Sequence, residues 1–422
     1  MASYQDREHF IPLRRHELVR LLCDQLSPAE SAEFRKFCGK LCDRVHLEFY
    51  RLLERLKEDY APFDPDADTH ALNAVEGAER TDKAERLFVD ADRLLTRANY
   101  VQLSREQVLA AQQGASSWGL DMSIELDAFS RFALYTRGKV TGERVLRSWR
   151  TWFRAKSIRV EIYQRLVLVL QQKKHWRLGK SPDTRSIFLK LFKEIPTADL
   201  EMLIPGGRLQ MPKFERGKLG FSIISGLAVL LWQFIQNFFL IAKAATAGAI
   251  TYGPLGIIAA MFGYGYRQYY GYQFSLRTYN LKLAQSLYYQ NLDNNGGVLF
   301  RLLDSAEEQE CRETILGYYY LLRLAGTDGM TAGALDDAIE EALEKTTGVK
   351  IDFEIDDAMK KVEAIGLARL IGDRYHPIPI SAALAKLDAL PATAVFTREM
   401  MPNVDRPLVV GAGQSHRNVR CA

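Results

Sequence analysis

The N-terminal part of the chain places apolar residues at helical spacing. Ser27-Pro28-Ala29-Glu30 is a capping box with proline at the first helical position, so a helix is expected to begin there. Large side chains then recur every three or four residues and predict one buried face: Phe34, Phe37, Leu41, Val45, Phe49, Leu52 and Leu56. Residues 12–60 are therefore predicted to form two helices and residues 82–112 a third, with Val101 on its apolar side. Together they make residues 1–117 a helical region.

After Gly119 the spacing changes from helical to alternating, as in a β-strand. The alternating apolar positions are Leu120, Met122, Ile124 and Leu126. Residues 157–172 and 186–192 are rich in β-branched and aromatic side chains and predict further strands, while Arg137-Gly138-Lys139 predicts a turn. Residues 118–218 are thus expected to form a small antiparallel α+β unit.

The longest apolar run lies between Leu219 and Tyr266, where 48 residues contain a single charge, Lys243. A helix needs about 20 apolar residues to cross a bilayer, so this run predicts two spans. The spans would cover 219–242 and 248–266, with the turn near Lys243 or, alternatively, at Gly253-Pro254. Residues 219–266 are therefore predicted to form a two-helix transmembrane hairpin.

Three sets of side chains give the predicted hairpin its candidate functions. A polar face of the first span would either hydrogen-bond between helices or line a polar path in an oligomer: Gln233, Gln236 and Asn237. Small residues of the second span would permit close helix packing: Ala249, Gly253, Gly256 and Ala260. Tyrosines at the second exit would form an interfacial aromatic belt: Tyr264, Tyr266, Tyr269, Tyr270 and Tyr272.

Charges beside the predicted spans indicate their orientation. The flanks carry Arg208, Lys213, Arg216 and Lys218 on one side and Arg267, Arg277 and Lys282 on the other. By the positive-inside rule both termini would be cytoplasmic. The N-terminus has no apolar signal segment, and it contains Asp6, Glu8 and Glu17, which a transit peptide would lack. The expectation is an integral protein of a bacterial inner membrane.

The remainder of the chain is again helical. A pair of long helices is predicted over 267–325, followed at 326–400 by two shorter helices and a hairpin around Gly372-Asp373. Helix, helix, hairpin is the order of a winged helix, so this segment is predicted to be a winged-helix-like module. A disordered tail is expected at 401–422. The predicted fold class is α+β, mainly α.

Charge is distributed unevenly along the chain. Residues 137–218 hold 20 Lys and Arg against 7 Asp and Glu, whereas residues 304–364 hold 16 Asp and Glu against 6 Lys and Arg. The basic segment would attract anionic lipid or dock on the acidic one, or the charges would form an exposed, solvated surface. The acidic balance argues against DNA binding by the winged-helix-like module, because phosphate contacts need cations. The expected partners are a lipid bilayer and another protein or a second copy, with no nucleic acid.

Carboxylates occur in two runs that could be mistaken for metal sites. Asp64-x-Asp66-x-Asp68 resembles a calcium loop, but Thr69 and Val75 stand where such a loop needs glycine and glutamate, so a solvated turn is the better interpretation. The second run has no nearby histidine and is interpreted as a charged helix face: Glu307, Glu308, Glu310 and Glu313.

The thiols likewise predict no metal centre. Cys38 and Cys42 share a helix face, but no second Cys or His pair completes a zinc site. Structural thiols in a reducing compartment are the preferred interpretation. The chain also lacks a nucleotide loop and a nucleophile elbow. No catalytic, cofactor or metal residue is predicted, and an enzymatic role is not favoured.

Several long strings resemble a family of membrane proteins that includes transmembrane protein 143 and bacterial and plant relatives. They are FIPLRR at 10–15, YAPFDPDADT at 60–69, LLTRANYVQLS at 94–104, LKLFKEIPTADLEMLIPG at 189–206, LYYQNLDNNGGVLFRLLDSAEEQE at 287–310 and IDFEIDDAMKKVEAIGL at 351–367. The resemblance implies a two-span membrane protein with a domain of unknown function. It supplies no reaction and no catalytic residue.

These observations lead to one functional expectation and two alternatives. The first is a non-enzymatic, membrane-anchored scaffold or regulator. The alternatives are an oligomeric transport or channel protein that uses the polar face of the first span, and a membrane-bound enzyme acting on a lipid-type substrate.

Overall fold

The computed structural model describes most of the chain in two compact units. One unit is drawn from Met1–Val108, Leu126–Thr197 and Asn291–Ala422, and the other from Leu109–Glu125 and Ala198–Gln290. The described residues are 10–69, 75–108, 121–123, 126–147, 155–179, 181–205, 208–210, 287–389, and single positions at 232, 235, 263, 266, 267, 270, 271, 273, 274, 277, 278, 281 and 285.

The N-terminal region is helical, as the apolar spacing predicts. Helices α1 (Arg15–Cys23), α2 (Pro28–Tyr60) and α3 (Gly77–Arg97) follow one another. The capping box is confirmed, since the Ser27 side chain accepts a hydrogen bond from the Glu30 backbone and the Glu30 side chain accepts one from the Ser27 backbone. All seven apolar residues predicted on the α2 face are buried.

The predicted third helix has the wrong bounds. It begins at Gly77 and ends at Arg97, rather than spanning 82–112. Asn99 has a left-handed φ of 59°, which ends the helical path, and strand β1 (Val101–Gln102) then pairs with strand β3 (Phe129–Arg147). Val101 is consequently exposed in a strand instead of buried on a helix. Pairing with a distant strand outweighs the local apolar spacing here.

The first unit contains a five-stranded antiparallel sheet in the order β1-β3-β4-β5-β7. Strands β3 (Phe129–Arg147) and β4 (Ala155–Gln172) form a long hairpin, and β5 (Ile187–Pro196) and β7 (Asn291–Asn294) complete the sheet. The predicted turn at Arg137-Gly138-Lys139 is wrong, because the β3–β4 ladder continues on both sides of Gly138. One sheet face joins the helical core through Ala133, Tyr135, Val167, Val169, Ile187, Leu189 and Leu191.

The C-terminal part of the first unit is built on a long central helix, α4 (Gly296–Leu324). It packs on α2 through the rings of Tyr318 and Phe37, whose centroids lie 4.6 Å apart. The elements that follow are β8 (Met330–Thr331), α5 (Ala332–Thr347), α6 (Ile355–Ile365), β9 (Ala368–Ile371), β10 (Arg374–Pro377) and α7 (Ile380–Ala389). The three strands pair antiparallel in the order β8-β10-β9. The order helix, helix, hairpin is therefore present, and the winged-helix-like module stays a prediction. We refer to residues 330–389 as the C-terminal module.

In the second unit, β2 (Asp121–Ser123) pairs with β6 (Arg208–Gln210) in an antiparallel ladder. The described positions between Trp232 and Gln290 are helical. The predicted hairpin at 219–266 lies outside the described residues, apart from Trp232, Ile235, Gly263 and Tyr266.

The prediction of a transmembrane protein is contradicted. Among the residues that the structure describes, no helix combines the length and the apolar character that crossing a bilayer requires. Helices α2 and α4 have 33 and 29 residues, but charged side chains recur along both. An apolar run indicates a span when it coincides with a continuous helix, and no described helix meets that condition. The two-helix transmembrane hairpin, the membrane anchor and the inner-membrane location with cytoplasmic termini are therefore wrong as predictions.

Candidate functional site

The middle of α4 carries polar side chains that are buried. Five of its residues each expose at most 5 % of their surface: Gln309, Glu310, Arg312, Glu313 and Thr314. The interpretation of the carboxylates in this segment as a charged outer face is therefore wrong for Glu310 and Glu313. A buried carboxylate is strongly destabilised unless cations and hydrogen-bond donors meet it. The structure supplies cations from two other helices, α3 and α6.

Glu310 joins α3 to α6. Arg97 at the end of α3 donates from Nη2 to Glu310 Oε2 at 2.7 Å, and its Nε contacts the other carboxylate oxygen. Lys361 of α6 places its Nζ 3.7 Å from Glu310 Oε1. Arg97 also pairs with Glu48 of α2 at 2.9 Å and lies over the Phe49 ring, 4.1 Å from its centroid. The Glu310 carboxylate thus pairs with one cation from the N-terminal helices and one from the C-terminal module.

Glu313 lies one turn further along α4 and shares the same lysine. Lys361 Nζ donates to Glu313 Oε2 at 3.1 Å, and Gln309 Nε2 donates to Glu313 Oε1 at 2.8 Å. Lys361 also pairs with Asp357 on its own helix at 2.6 Å. The lysine side chain is therefore surrounded by carboxylates from α4 and α6, although it is almost fully buried.

Four carboxylates and two cations make up this ion-pair cluster: Glu48, Glu310, Glu313, Asp357, Arg97 and Lys361. Burial raises the pKa of Glu48 to about 7, against the attraction of Arg97. Burial likewise raises the pKa of Glu313, against the attraction of Lys361. Burial also opposes ionisation of Glu310, yet its pKa is lowered because the charges of Arg97 and Lys361 together outweigh that cost. The cluster thus holds Glu310 ionised and leaves Glu48 poised to titrate near neutrality.

A second set of polar contacts holds the N-terminal segment against α4. Arg312 Nη1 donates to the Leu13 carbonyl at 2.6 Å, and the Ile11 backbone N–H donates to Gln309 Oε1 at 3.3 Å. The guanidinium of Arg312 lies 4.8 Å from the centroid of the Phe10 ring. The FIPLRR string at 10–15 therefore contacts the same turn of α4 that carries the ion-pair cluster.

The aspartate string at 64–68 forms a structural contact. Asp66 Oδ2 accepts a hydrogen bond of 2.5 Å from Asn295 Nδ2, and the Asp66 backbone N–H donates to Asp64 Oδ1 at 3.0 Å. Asn295 has a left-handed φ of 48° and exchanges hydrogen bonds with the backbone of Leu189 immediately before α4. Within the described ranges, no group of three or more His, Cys, Asp or Glu side chains could hold a metal ion.

The candidate residues of the apolar run remain untested. Gln233, Gln236, Asn237, Ala249, Gly253, Gly256, Ala260, Tyr264, Tyr269 and Tyr272 lie outside the described residues. Tyr266 and Tyr270 are described, are exposed and have ring centroids 5.1 Å apart, as expected for residues one helical turn apart.

Sequence reasoning missed the cations of the ion-pair cluster, although one left a signal. Lys361 occupies a position on α6 that continues the apolar spacing of Ala358, Met359, Val362 and Ile365. A lysine at such a position needs a buried carboxylate partner, and α4 offers candidates at Glu310 and Glu313. Arg97 left no comparable signal, because it ends its helix and its carboxylate partner is far away in sequence.

Comparison with known proteins gives one family match. A family described as a protein of unknown function (DUF3754) matches residues 153–297, a range that includes β4, β5 and β7 and the first residues of α4. No solved structure matches the chain. The chain therefore contains a stretch similar to a domain of unknown function, and no finding confirms the narrower resemblance to the transmembrane protein 143-like family.

Proposed function

We propose that the protein is a non-enzymatic scaffold or regulator whose C-terminal module binds a protein with a basic surface. A protein is favoured over DNA by the outward face of α6, the helix that would enter the DNA groove in a nucleic-acid-binding winged helix. This face exposes Asp356, Lys360 and Glu363. Two acids against one base repel phosphate, so a protein partner fits this surface better than DNA.

Helix α5 extends the acidic character of the module. Asp337, Glu341 and Glu344 are exposed at spacings of four and three residues, so they share one helix face. Complementary charge on a partner would accelerate encounter and fix its orientation. This stripe is where we place the contact.

The inner face of the module supports a scaffold role. Lys361 of α6 and Arg97 of α3 both form ion pairs with Glu310. The last helix is also attached to α2, since Arg44 Nη2 donates to the Leu387 carbonyl at 3.1 Å and Lys40 pairs with Asp388. A partner held by the module would therefore be held in a fixed position relative to the N-terminal helices.

Charge reversal tests the proposal. The full-length triple variant Asp337→Lys, Glu341→Lys, Glu344→Lys reverses the stripe, while Glu79→Lys, Asp82→Lys, Glu85→Lys reverses three exposed acids on α3 as a matched control. In-cell cross-linking with quantitative mass spectrometry should show a cross-linked protein lost in the first variant and retained in the control. Equal cross-linking of every protein by both variants would reject the proposed surface.

We also propose kinship with the transmembrane protein 143-like family, on the strings given above. This kinship carries no claim about a membrane. The transport and lipid-enzyme alternatives both required the transmembrane hairpin, so neither is proposed.

A further inference from the structure

The loop that joins β4 to β5, residues 173–185, carries concentrated positive charge. It contains five Lys and Arg against one Asp, and we refer to it as the basic loop. Three of its cations are exposed and form no ion pair with a described residue: Lys173, Lys174 and Arg185. The one carboxylate, Asp183, accepts hydrogen bonds from the Arg185 and Ser186 backbone N–H groups at 2.9 and 3.1 Å. The basic loop therefore presents cations that no partner within the described structure neutralises.

Both ends of the basic loop are held in place by hydrogen bonds to its backbone. The Lys173 N–H donates to the Ala128 carbonyl at 3.1 Å, and Arg80 Nη2 donates to the Arg185 carbonyl at 2.7 Å. A partner would consequently meet the exposed cations in a fixed arrangement, and less conformational entropy would be lost on binding.

A large aromatic side chain lies in the same loop. Trp176 exposes 61 % of its surface, and its ring centroid lies 5.8 Å from that of His175. Tryptophan is among the residues most enriched at the energetic centres of protein interfaces, because it buries a large apolar area. The basic loop therefore offers a partner both positive charge and an aromatic side chain.

Helix α5 of the C-terminal module has the opposite charge. It contains five Asp and Glu against one Lys. We refer to its exposed residues Asp337, Glu341 and Glu344 as the acidic stripe, which extends about 10 Å along the helix. Glu341 pairs with Lys345, whereas Asp337 and Glu344 form no ion pair with any residue in the described ranges. The stripe thus has room and charge for two or three cations.

Exposed apolar side chains lie near the start of α5. Leu370 and Ile371 of β9 expose 43 % and 62 % of their surface. Ile371 pairs with Arg374, and Arg374 pairs with Thr331, the residue that caps α5. Neighbouring strands are about 4.8 Å apart, so Ile371 lies roughly 10 Å from that cap. The C-terminal module therefore has apolar surface near its acidic stripe, just as the basic loop has Trp176 near its lysines.

We propose that the basic loop of one copy of this chain binds the acidic stripe of a second copy, with Trp176 against Leu370 and Ile371. This inference rests on the proposed function, because it names a second copy as the protein with a basic surface. The loop and α5 carry opposite net charges of equal size, as the two compositions given above show. Complementary charge of this kind accelerates encounter and fixes orientation.

The proposed contact joins two different surfaces, so it is head to tail. Each copy would use its basic loop toward one neighbour and its acidic stripe toward another. Such an interface closes into a ring or extends as a chain of copies. Self-association should therefore continue beyond a dimer as the protein concentration rises.

Sedimentation velocity of the purified full-length protein tests this inference. At low salt the average mass should rise with protein concentration beyond that of a dimer. In about 0.5 M sodium chloride the protein should return to a monomer, because charges are then screened within about 4 Å. Trp176→Ala should weaken self-association about tenfold or more.

Charge reversal on both surfaces provides the decisive arm. The triple lysine variant of the acidic stripe and the loop variant Lys173→Glu, Lys174→Glu, Arg185→Glu should each self-associate at least about tenfold more weakly than wild type. An equimolar mixture of the two should associate again, because every loop then meets a stripe of opposite charge. Misfolding of either variant would not produce this recovery. The triple lysine variant of α3 is the control and should associate as wild type does.

The inference is overturned if the wild-type protein stays monomeric at low salt, or if the mixed variants do not associate. A monomeric wild type whose stripe variant still loses a different cross-linked protein would remove this inference and leave the proposed function intact. Self-association that the stripe variant retains, with every cross-link also unchanged, would reject both.

Discussion

The N-terminal and middle stretches of α4 are both buried, yet they carry opposite kinds of side chain. The first stretch faces the core with Val298, Leu299, Leu302, Leu303 and Ala306. One turn later the helix buries Gln309, Glu310, Arg312, Glu313 and Thr314. The first stretch is stabilised by removing apolar surface from water, and the second by cations that α3 and α6 supply. The N-terminal stretch of α4 is therefore buried because of its apolar spacing. The middle stretch can be buried because residues distant in sequence supply cations.

The largest expected effect comes from removing the lysine that the middle stretch shares. Lys361→Met leaves Glu313 without its lysine and Glu310 with Arg97 alone. Breaking a buried pair from one side costs about 3–5 kcal/mol, and urea unfolding should show a loss of this size. Lys360→Met removes an exposed lysine from the same helix and should change stability little. Equal losses in the two variants would mean that burial does not set the stability cost of losing the lysine.

A somewhat smaller effect is expected in the apolar stretch. Leu302→Ala removes a buried side chain and leaves a cavity, at a cost of about 3 kcal/mol in urea unfolding. Phe300→Ala on the same turn is the control, because Phe300 is 50 % exposed.

The cost of Leu302→Ala should be independent of pH. The cost of Lys361→Met should shrink in acid, where the unpaired carboxylates can take up protons, and a pH-independent cost would argue against the ion pairs.

Glu48 should make a pH-dependent contribution of intermediate size to the free energy of unfolding. Its folded-state pKa is raised from 4.5 to about 7, so between these values the folded protein retains a proton that the unfolded chain releases. Stability from this group is therefore greatest below pH 4.5 and decreases as pH rises to 7. The wild-type free energy of unfolding minus that of Glu48→Gln should fall across this window by an amount on the order of 2–3 kcal/mol.

Glu341→Gln is the matched control for this titration. A hydrogen bond from Lys345 lowers the pKa of the exposed Glu341 carboxyl, so its contribution is present above the ordinary value and lost as pH falls. The same subtraction should therefore slope weakly in the opposite direction. If the wild-type free energy of unfolding minus that of Glu48→Gln rose with pH, the result would contradict the burial of Glu48.

The smallest effect is expected at an exposed ion pair in the C-terminal module. Lys345 pairs with Glu341 one turn earlier on α5 at 2.6 Å, a shorter distance than the 3.1 Å between Lys361 and Glu313. Solvent screening makes such exposed pairs nearly neutral for stability. Lys345→Met should leave the urea midpoint unchanged within error. A loss comparable to that of Lys361→Met would mean that pair distance, rather than burial, sets the cost.

The sequence predicts those parts of the fold that rest on neighbouring residues. The capping box at Ser27, the buried face of α2 and the long helix that becomes α4 follow from local spacing, and the structure confirms them. The end of α3 at Arg97 and the uninterrupted ladder around Gly138 do not follow, because each is decided by pairing with a strand distant in sequence.

The ion-pair cluster is a further feature that neighbouring residues in the sequence do not predict. Acidic residues three apart on a helix predict a solvated face, because solvent is the usual partner of a carboxylate. Their burial depends on Arg97 and Lys361, which lie on other helices and reach Glu310 through the tertiary fold. The transmembrane prediction rested on apolar composition alone, and no helix among the described residues is long and apolar enough to cross a bilayer.

Glu310 couples the N-terminal helices to the C-terminal module through Arg97 and Lys361, and a double-mutant cycle tests this coupling directly. Arg97→Met and Lys361→Met would be measured singly and together by urea unfolding, in wild-type and Glu310→Gln backgrounds. The two costs should be non-additive by about 1–2 kcal/mol in the wild-type background, and the coupling should largely disappear with Glu310→Gln. Additivity within about 0.5 kcal/mol in the wild-type background would contradict the claim.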